Sequence, residues 1–384
     1  MVSILHVNKL YAPWIGGVEM VVQNIAEGLQ AFPDVHCEVL VCRDRGASIT
    51  EYVNGVRVTR VASLGTAMSM PVSPSFPFRL AKMASQFDIV HVHTPFPLAF
   101  FCDWDTVKAN GTRLVVHYHS DIIRRLQRTI VSSLWGLESR FLKSADRIVV
   151  TSEGLLNSSR TLATFRDKCR VIPLFMDLRT VETPSEQEKS SARRRYGVTD
   201  SDHVVLFAGR LVYYKGVEYF IDAVRELDVQ VLIAGEGPLR QTLQKRLESL
   251  GLQHRVKLLG RVSDAELSSL YSLADLFVLP STQPSEAFGL VQLEAMAHGL
   301  PVVNTNLPSG VPSVSQHGVT GMTVPPGDSA ALRDAISTIL SDESLRNLFA
   351  SNARERIQLF SSSVVLRQIR SLYEELEPEA APLQ

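Results

Sequence analysis

Short apolar runs alternate along this chain with longer stretches in which apolar residues return every three or four positions. The runs fall at residues 4–7, 38–41, 56–61, 89–92, 114–116 and 148–150, and again at 204–207, 229–234, 256–259, 276–279, 302–304 and 322–324. Runs this short and this apolar suit strands buried on both faces, and the intervening periodicity suits helices packed over them. Such alternation predicts β-α units on a parallel sheet. Because the pattern stops and restarts, it predicts an α/β chain of two successive Rossmann-like domains, residues 1–178 and 179–361. The polar break between them spans 176–202, with the linker placed at 174–183. A last segment, about 362–378, carries Val365, Ile369, Leu372 and Leu376 at helical spacing.

Composition then narrows the class. A chain of 384 residues suits two domains of ordinary size, and 45% hydrophobic with 21% charged residues is a globular balance. A net charge of -1 argues against nucleic acid as a partner. Cys37, Cys42, Cys102 and Cys169 have no CxxC spacing and sit in or beside apolar runs, as reduced thiols of a cytoplasmic protein would. The N-terminal residues read as a first strand and not as a signal peptide. No stretch approaches the roughly 20 apolar residues needed to cross a bilayer.

The candidate chemistry gathers at the turns after the strands. Residues 285–299, SEAFGLVQLEAMAHG, place Glu286 in a loop and Glu294 on the helix that follows. Between them the amides of Phe288, Gly289 and Leu290 open a helical turn, whose positive end favours an anion. Earlier, Gly209 and Arg210 end a strand, and Lys215 precedes the next helix. Two cations so spaced suit a diphosphate, arginine as a fork and lysine as a point charge. Gly235, Glu236 and Gly237 form a further strand-to-helix turn. So do Gly16 and Gly17, which lack the full GxGxxG pattern of a dinucleotide fold.

Two His-x-His pairs, His91 with His93 and His117 with His119, end consecutive strands. Residues two apart on a strand share a face, and strand C-termini face the ligand crevice of open α/β sheets. These histidines are either structural, or, with Asp121 nearby, ligands of a metal. In residues 121–143 an apolar stripe from Ile122 to Phe141 opposes Arg124, Arg125, Arg128, Arg140 and Lys143. That is either a solvated helix face or a basic surface for anionic headgroups.

Taken together, the Glu286/Glu294 pair, the GR-x4-KG turn, the AGEGP turn, the glycine loop at 16–17 and the HYHSD segment resemble glycosyltransferase family 4, the group 1 glycosyltransferases, over nearly the whole chain. The resemblance implies the GT-B fold, two Rossmann-like domains facing across a cleft with the C-terminal helix crossing back to the N-terminal domain. It implies transfer of a sugar from a nucleotide diphosphate donor with retention, without metal or cofactor. Arg210, Lys215 and the amides after Glu286 would hold the diphosphate, Glu294 the ribose, and Glu286 and His119 the donor sugar. Gly16 and Gly17 would meet the diphosphate, and Gly209, Gly235, Glu236 and Gly237 the nucleotide side. Within the family the motifs are most similar to bacterial mannosyl- and rhamnosyltransferases of O-antigen and exopolysaccharide assembly, which commonly take GDP-sugars. GDP-mannose or a related deoxysugar is therefore the expected donor and a UDP-sugar the alternative. A lipid-linked or saccharide acceptor is expected, with peripheral contact to the anionic inner face of the cytoplasmic membrane through the 122–143 helix. A sugar-nucleotide epimerase, a metal-dependent hydrolase and a non-catalytic GT-B binding subunit remain as other readings.

Overall fold

The computed structural model describes residues 1–14, 16–67, 70–121, 135–182 and 184–376. Contacts divide the chain into two units. One contains Met1–Thr151, Ser159–Leu174 and Ser363–Gln384, the other Ser152–Ser158 and Phe175–Ser362.

The N-terminal unit is built on strands β1 (Val2–Val7), β2 (Val35–Cys42), β3 (Ile49–Val53), β4 (Val56–Val61), β7 (Ile89–Thr94), β8 (Arg113–Tyr118), β9 (Arg147–Val150) and β10 (Cys169–Val171). They form one sheet in the order β10-β9-β8-β7-β1-β2-β4-β3, while β5 (Thr66–Ala67) pairs with β6 (Met70–Pro71) in a small separate ladder. All pairs in the large sheet are parallel except β3 with β4. Every apolar run read from the sequence in this half lies within a strand. The edge strand β3 was not read. It is short and largely exposed, with Thr50 and Glu51 in its middle, and is joined to β4 by Asn54-Gly55, both at positive φ, the usual two-residue hairpin signal.

Helix Ser362–Glu374 packs Val365, Leu366, Ile369, Leu372 and Tyr373 away from solvent. From Ser363 onward it belongs to the N-terminal unit, where Arg370 pairs with Asp34 at 2.6 Å and its guanidinium lies over the Phe32 ring.

The C-terminal unit has six parallel strands, β11 (Val204–Ala208), β12 (Gln230–Ala234), β13 (Val256–Gly260), β14 (Leu276–Leu279), β15 (Val302–Thr305) and β16 (Gly321–Val324), in the order β13-β12-β11-β14-β15-β16. β11 and β14 are buried at every position. Val205, Phe207, Val231, Ile233, Leu276 and Val278 meet the apolar faces of helices Val217–Ala223 and Ser329–Ser341 in one core. The strand order changes direction between β11 and β14. In open α/β sheets that switch point is where ligand loops collect.

Among the described residues no helix is long and apolar enough to cross a membrane. Arg124, Arg125 and Arg128, on which the membrane reading mainly rests, lie outside the described residues. In the described part of that segment, helix Trp135–Ser144, Arg140 pairs with Asp105 at 2.5 Å.

Candidate active site

The loops that leave β11 and β14 bring two of the expected residues into contact. The Lys215 ammonium lies 2.5 Å from Oε2 of Glu286, and both side chains are about nine-tenths buried. The Ser281 hydroxyl, fully buried, donates to the same Glu286 oxygen at 3.1 Å, and the Ser281 carbonyl in turn accepts from Thr305 Oγ1 at 2.6 Å. Glu286 is thus held by a cation from the turn after β11 and a hydroxyl from the end of β14. A buried pair of this kind is costly to break from one side, since the remaining charge would be unpaired.

Behind Glu286 the chain turns through Gly289 at φ +74, and a Cβ there would crowd Leu279 and Gln292. The following helix begins at Val291, slightly later than the spacing suggested, and runs to Ala297. The amides of Gln292 and Leu293 already bond to the carbonyls of Gly289 and Leu290. Among the described residues those of Phe288, Gly289, Leu290 and Val291 have no acceptor, which leaves them open to an anion. The buried amide of Gln292 donates to the Phe288 carbonyl at 3.2 Å, and Asn304 donates to Gln292 Oε1 at 2.8 Å. Asn304 also donates to the carbonyls of Val311 and Ser315 and accepts from Thr323 Oγ1. This network ties the Glu286 loop to β15, and its side-chain members Gln292, Asn304 and Thr323 are not among the residues the sequence pointed to.

Glu294 lies on the same helix, half-buried, and accepts from the Tyr271 hydroxyl at 2.9 Å. Burial pushes its carboxyl above the ordinary range, against the pull of that hydroxyl and of Lys215. Arg210 is exposed, and among the described residues its guanidinium has no hydrogen bond or ion pair. Gly235 sits at φ +143 with its Cα against the Gly209 carbonyl, so that any side chain there would overlap it. This keeps the turns after β11 and β12 in direct contact, and Leu211 N bonds to the Glu236 carbonyl at 2.9 Å. The Glu236 side chain is exposed and pairs with Arg240 at 3.1 Å, while Gly237 backs onto Leu211.

The N-terminal unit holds the remaining expected residues. Gly16 caps helix Gly17–Leu29, and Glu19 folds back over Gly16 to pair with Lys9 at 3.3 Å. In register on β1, β7 and β8, His6 stands beside His91 and His93 beside His117. With His119 just past the end of β8, these five form one buried array. Ring centroids of His117 and His119 lie 4.2 Å apart at 7° between planes, and those of His91 and His93 4.6 Å at 17°. His6 Nδ1 is 3.3 Å from His93 Nε2, His93 Nδ1 is 3.1 Å from His119 Nε2, and His91 Nδ1 is 2.5 Å from the Tyr373 hydroxyl. Burial favours the neutral form of every ring, with the pKa of His6 and of His119 lowered to about 3 and those of His91, His93 and His117 lowered well below 6.5, by burial first and by neighbouring rings second.

Two triads, His6/His91/His93 and His93/His117/His119, have ring nitrogens within 4.8 Å of one another. In the second triad the rings are stacked in nearly parallel planes, so their lone pairs could converge on an ion only if the stack were taken apart, whereas in the first His6 is tilted by 36° and 34° to His91 and His93. Asp121, the other ligand considered, is engaged by the hydroxyls of Tyr118 at 2.6 Å and Ser159 at 2.7 Å.

Comparison with known proteins accounts for both halves. Residues 15–180 match the model "Glycosyltransferase Family 4", and residues 188–356 match "Glycosyl transferases group 1". The chain is 30% identical to the O-antigen chain mannosyltransferase C of Escherichia coli over 96% of this chain and 97% of that one. It is 32% identical to the D-rhamnosyltransferase WbpZ of Pseudomonas aeruginosa over 94% and 92%. Among solved structures, Anabaena HepE in complex with UDP superposes with a TM-score of 0.78 at 23% identity, covering 97% of this chain and all of that one. The sucrose-phosphate synthase of Thermosynechococcus elongatus gives 0.77 at 24%, covering 98% and 99%. These last two share the fold, the two Rossmann-like α/β domains of the GT-B class. With both halves matched and two relatives aligned over more than nine-tenths of their length, the chain belongs to glycosyltransferase family 4 and is a glycosyltransferase.

Proposed function

We propose that the enzyme moves a sugar, with retention and without a metal, from GDP-mannose or a related GDP-deoxysugar to a hydroxyl of a lipid-linked glycan in cell-surface polysaccharide synthesis. The observation that carries this reading is the Lys215–Glu286 contact, which puts the expected diphosphate cation and the expected sugar carboxylate at one point. Arg210 and the amides of Phe288 to Val291 supply uncommitted donors for a diphosphate. The charge building on the departing nucleoside diphosphate is then met by fixed cations and amides. In this mechanism the leaving phosphate takes the acceptor's proton as the new bond forms on the same face, so no separate base is required. Glu294 accepts from the ribose hydroxyls, and Glu286 and His119 hold the donor sugar. Gly16 and Gly17 approach the diphosphate as backbone.

The mannosyl- and rhamnosyltransferase names of the two long relatives support the sugar class and the O-antigen setting. For the acceptor, the cations of 124–143 would meet an anionic leaflet, each contributing on the order of 1 kcal/mol. The test is calorimetry in EDTA against GDP, UDP, ADP and their common sugars. Selective binding of GDP and GDP-mannose is expected. Selective UDP binding would replace the donor, and no metal-free binding of any nucleotide would overturn the reading.

A further inference from the structure

The catalytic reading uses only the last member of the five-histidine array, and the array itself has a direction. Burial keeps all five rings neutral, so each carries a single N–H. His93 sits in the middle, with Nε2 against His6 Nδ1 and Nδ1 against His119 Nε2. One proton on His93 allows two patterns. Either His6 donates to His93 and His93 donates to His119, or both bonds run the other way. The far nitrogen of His6 decides between them. His6 Nε2 is buried with no partner. In the reversed pattern it would add a second orphaned N–H to the one His117 already carries, since both His117 ring nitrogens are buried without a partner, and buried N–H groups are left unpaired less often than acceptors. The forward pattern leaves only a bare lone pair there.

We propose that His6 and His93 are positioning residues that fix His119 as the Nδ1–H tautomer. Its Nε2 is spent as an acceptor inside the protein, and Nδ1–H remains as the group it can offer a ligand. His119 then presents a hydrogen-bond donor, suited to a hydroxyl or ring oxygen of the sugar. Stacking on His117 at 4.2 Å fixes the plane in which that donor points. The role at the sugar rests on the donor-site reading above, whereas the tautomer does not.

The experiment is NMR of the full-length enzyme with 15N-labelled histidine rings, with the His119 signals assigned by their loss in His119→Phe. Wild-type His119 should show a protonated Nδ1 and a bare Nε2, unchanged between pH 8 and pH 6. In His93→Phe the bond is gone, and His119 should shift toward the Nε2–H form with transfer falling about tenfold in kcat. His93→Asn, whose amide reaches the place of Nδ1, should restore both. A wild-type His119 protonated on Nε2 overturns the proposal whatever the enzyme does, and the wild-type and His93→Asn spectra answer the question even if His93→Phe does not fold. The expected tautomers together with unimpaired transfer by a folded His93→Phe would overturn the positioning role and remove His119 from the sugar, leaving the Glu286 and Lys215 assignments untouched.

Discussion

The two large sheets end their central parallel strands with opposite electrostatics. Near the ends of β7 and β8 stand neutral imidazoles, stacked and buried, whereas after β11 and β14 stand a formal cation and a formal anion in contact. Both arrangements bury polar groups, and each avoids the cost in its own way. Histidines do it by losing their charge, while Lys215 and Glu286 do it by pairing. A paired lysine can exchange its carboxylate for a phosphate, and a neutral ring can serve a hydroxyl. On the reading proposed above, Lys215 meets the charged part of a nucleotide-sugar and His119 offers an uncharged contact.

The largest effect should come from the pair itself. Glu286→Gln removes the carboxylate, keeps the shape and frees Lys215. Steady-state kinetics should show kcat down by roughly 10²–10³-fold, the scale of losing one preorganised electrostatic group. Calorimetry on the same variant should show nucleoside diphosphate bound as tightly as in the wild type or more so. Weakened binding would mean that Lys215 is not the group released.

Next, Lys215→Ala or Arg210→Ala should weaken nucleoside diphosphate binding by about 10–100-fold, the worth of one or two charge-assisted hydrogen bonds. Unchanged affinity would contradict the clamp.

The third prediction uses acid to separate the units. The array histidines have folded pKa values below 6.5, so the unfolded chain binds more protons under that pH. Their contribution is intact above pH 6.5 and is lost as pH falls toward about 3, by up to about 1.4 kcal/mol per pH unit for each ring. Glu294 has the opposite sign. Its raised pKa gives stability that is present below the unfolded value of 4.5 and lost as pH rises through the folded one. Hydrogen exchange at pH 5 should therefore show β1, β7 and β8 opening before β11 and β14, and the reverse order would break the comparison.

The smallest effect is expected at Tyr373→Phe, which removes the 2.5 Å contact to His91. It should cost about 1–2 kcal/mol in thermal unfolding, confined to the N-terminal unit.

Much of this contrast was legible in the chain. The runs at 204–207 and 276–279 became β11 and β14, and the motif residues Lys215 and Glu286 met. What the sequence hid depends on register and on long separations. His6 is a single histidine in an apolar run, and only the pairing of β1 with β7 sets it beside residues 85 and 87 positions away. Tyr271, which bonds Glu294, and Asn304, which anchors Gln292, are ordinary residues of helix and strand until the sheet closes. The edge strand β3 does not show in the apolar pattern although Asn54-Gly55 announces its hairpin, because its exposed residues, with Thr50 and Glu51 in the middle, do not look like the buried runs around it.

The most direct measurement compares two variants against two ligands, Lys215→Ala and His119→Phe each titrated with GDP and with GDP-mannose. Lys215→Ala should weaken both ligands alike, and His119→Phe should weaken only the one that carries the sugar. Equal loss of plain GDP in His119→Phe, or no loss in Lys215→Ala, would contradict the division of labour between the two units.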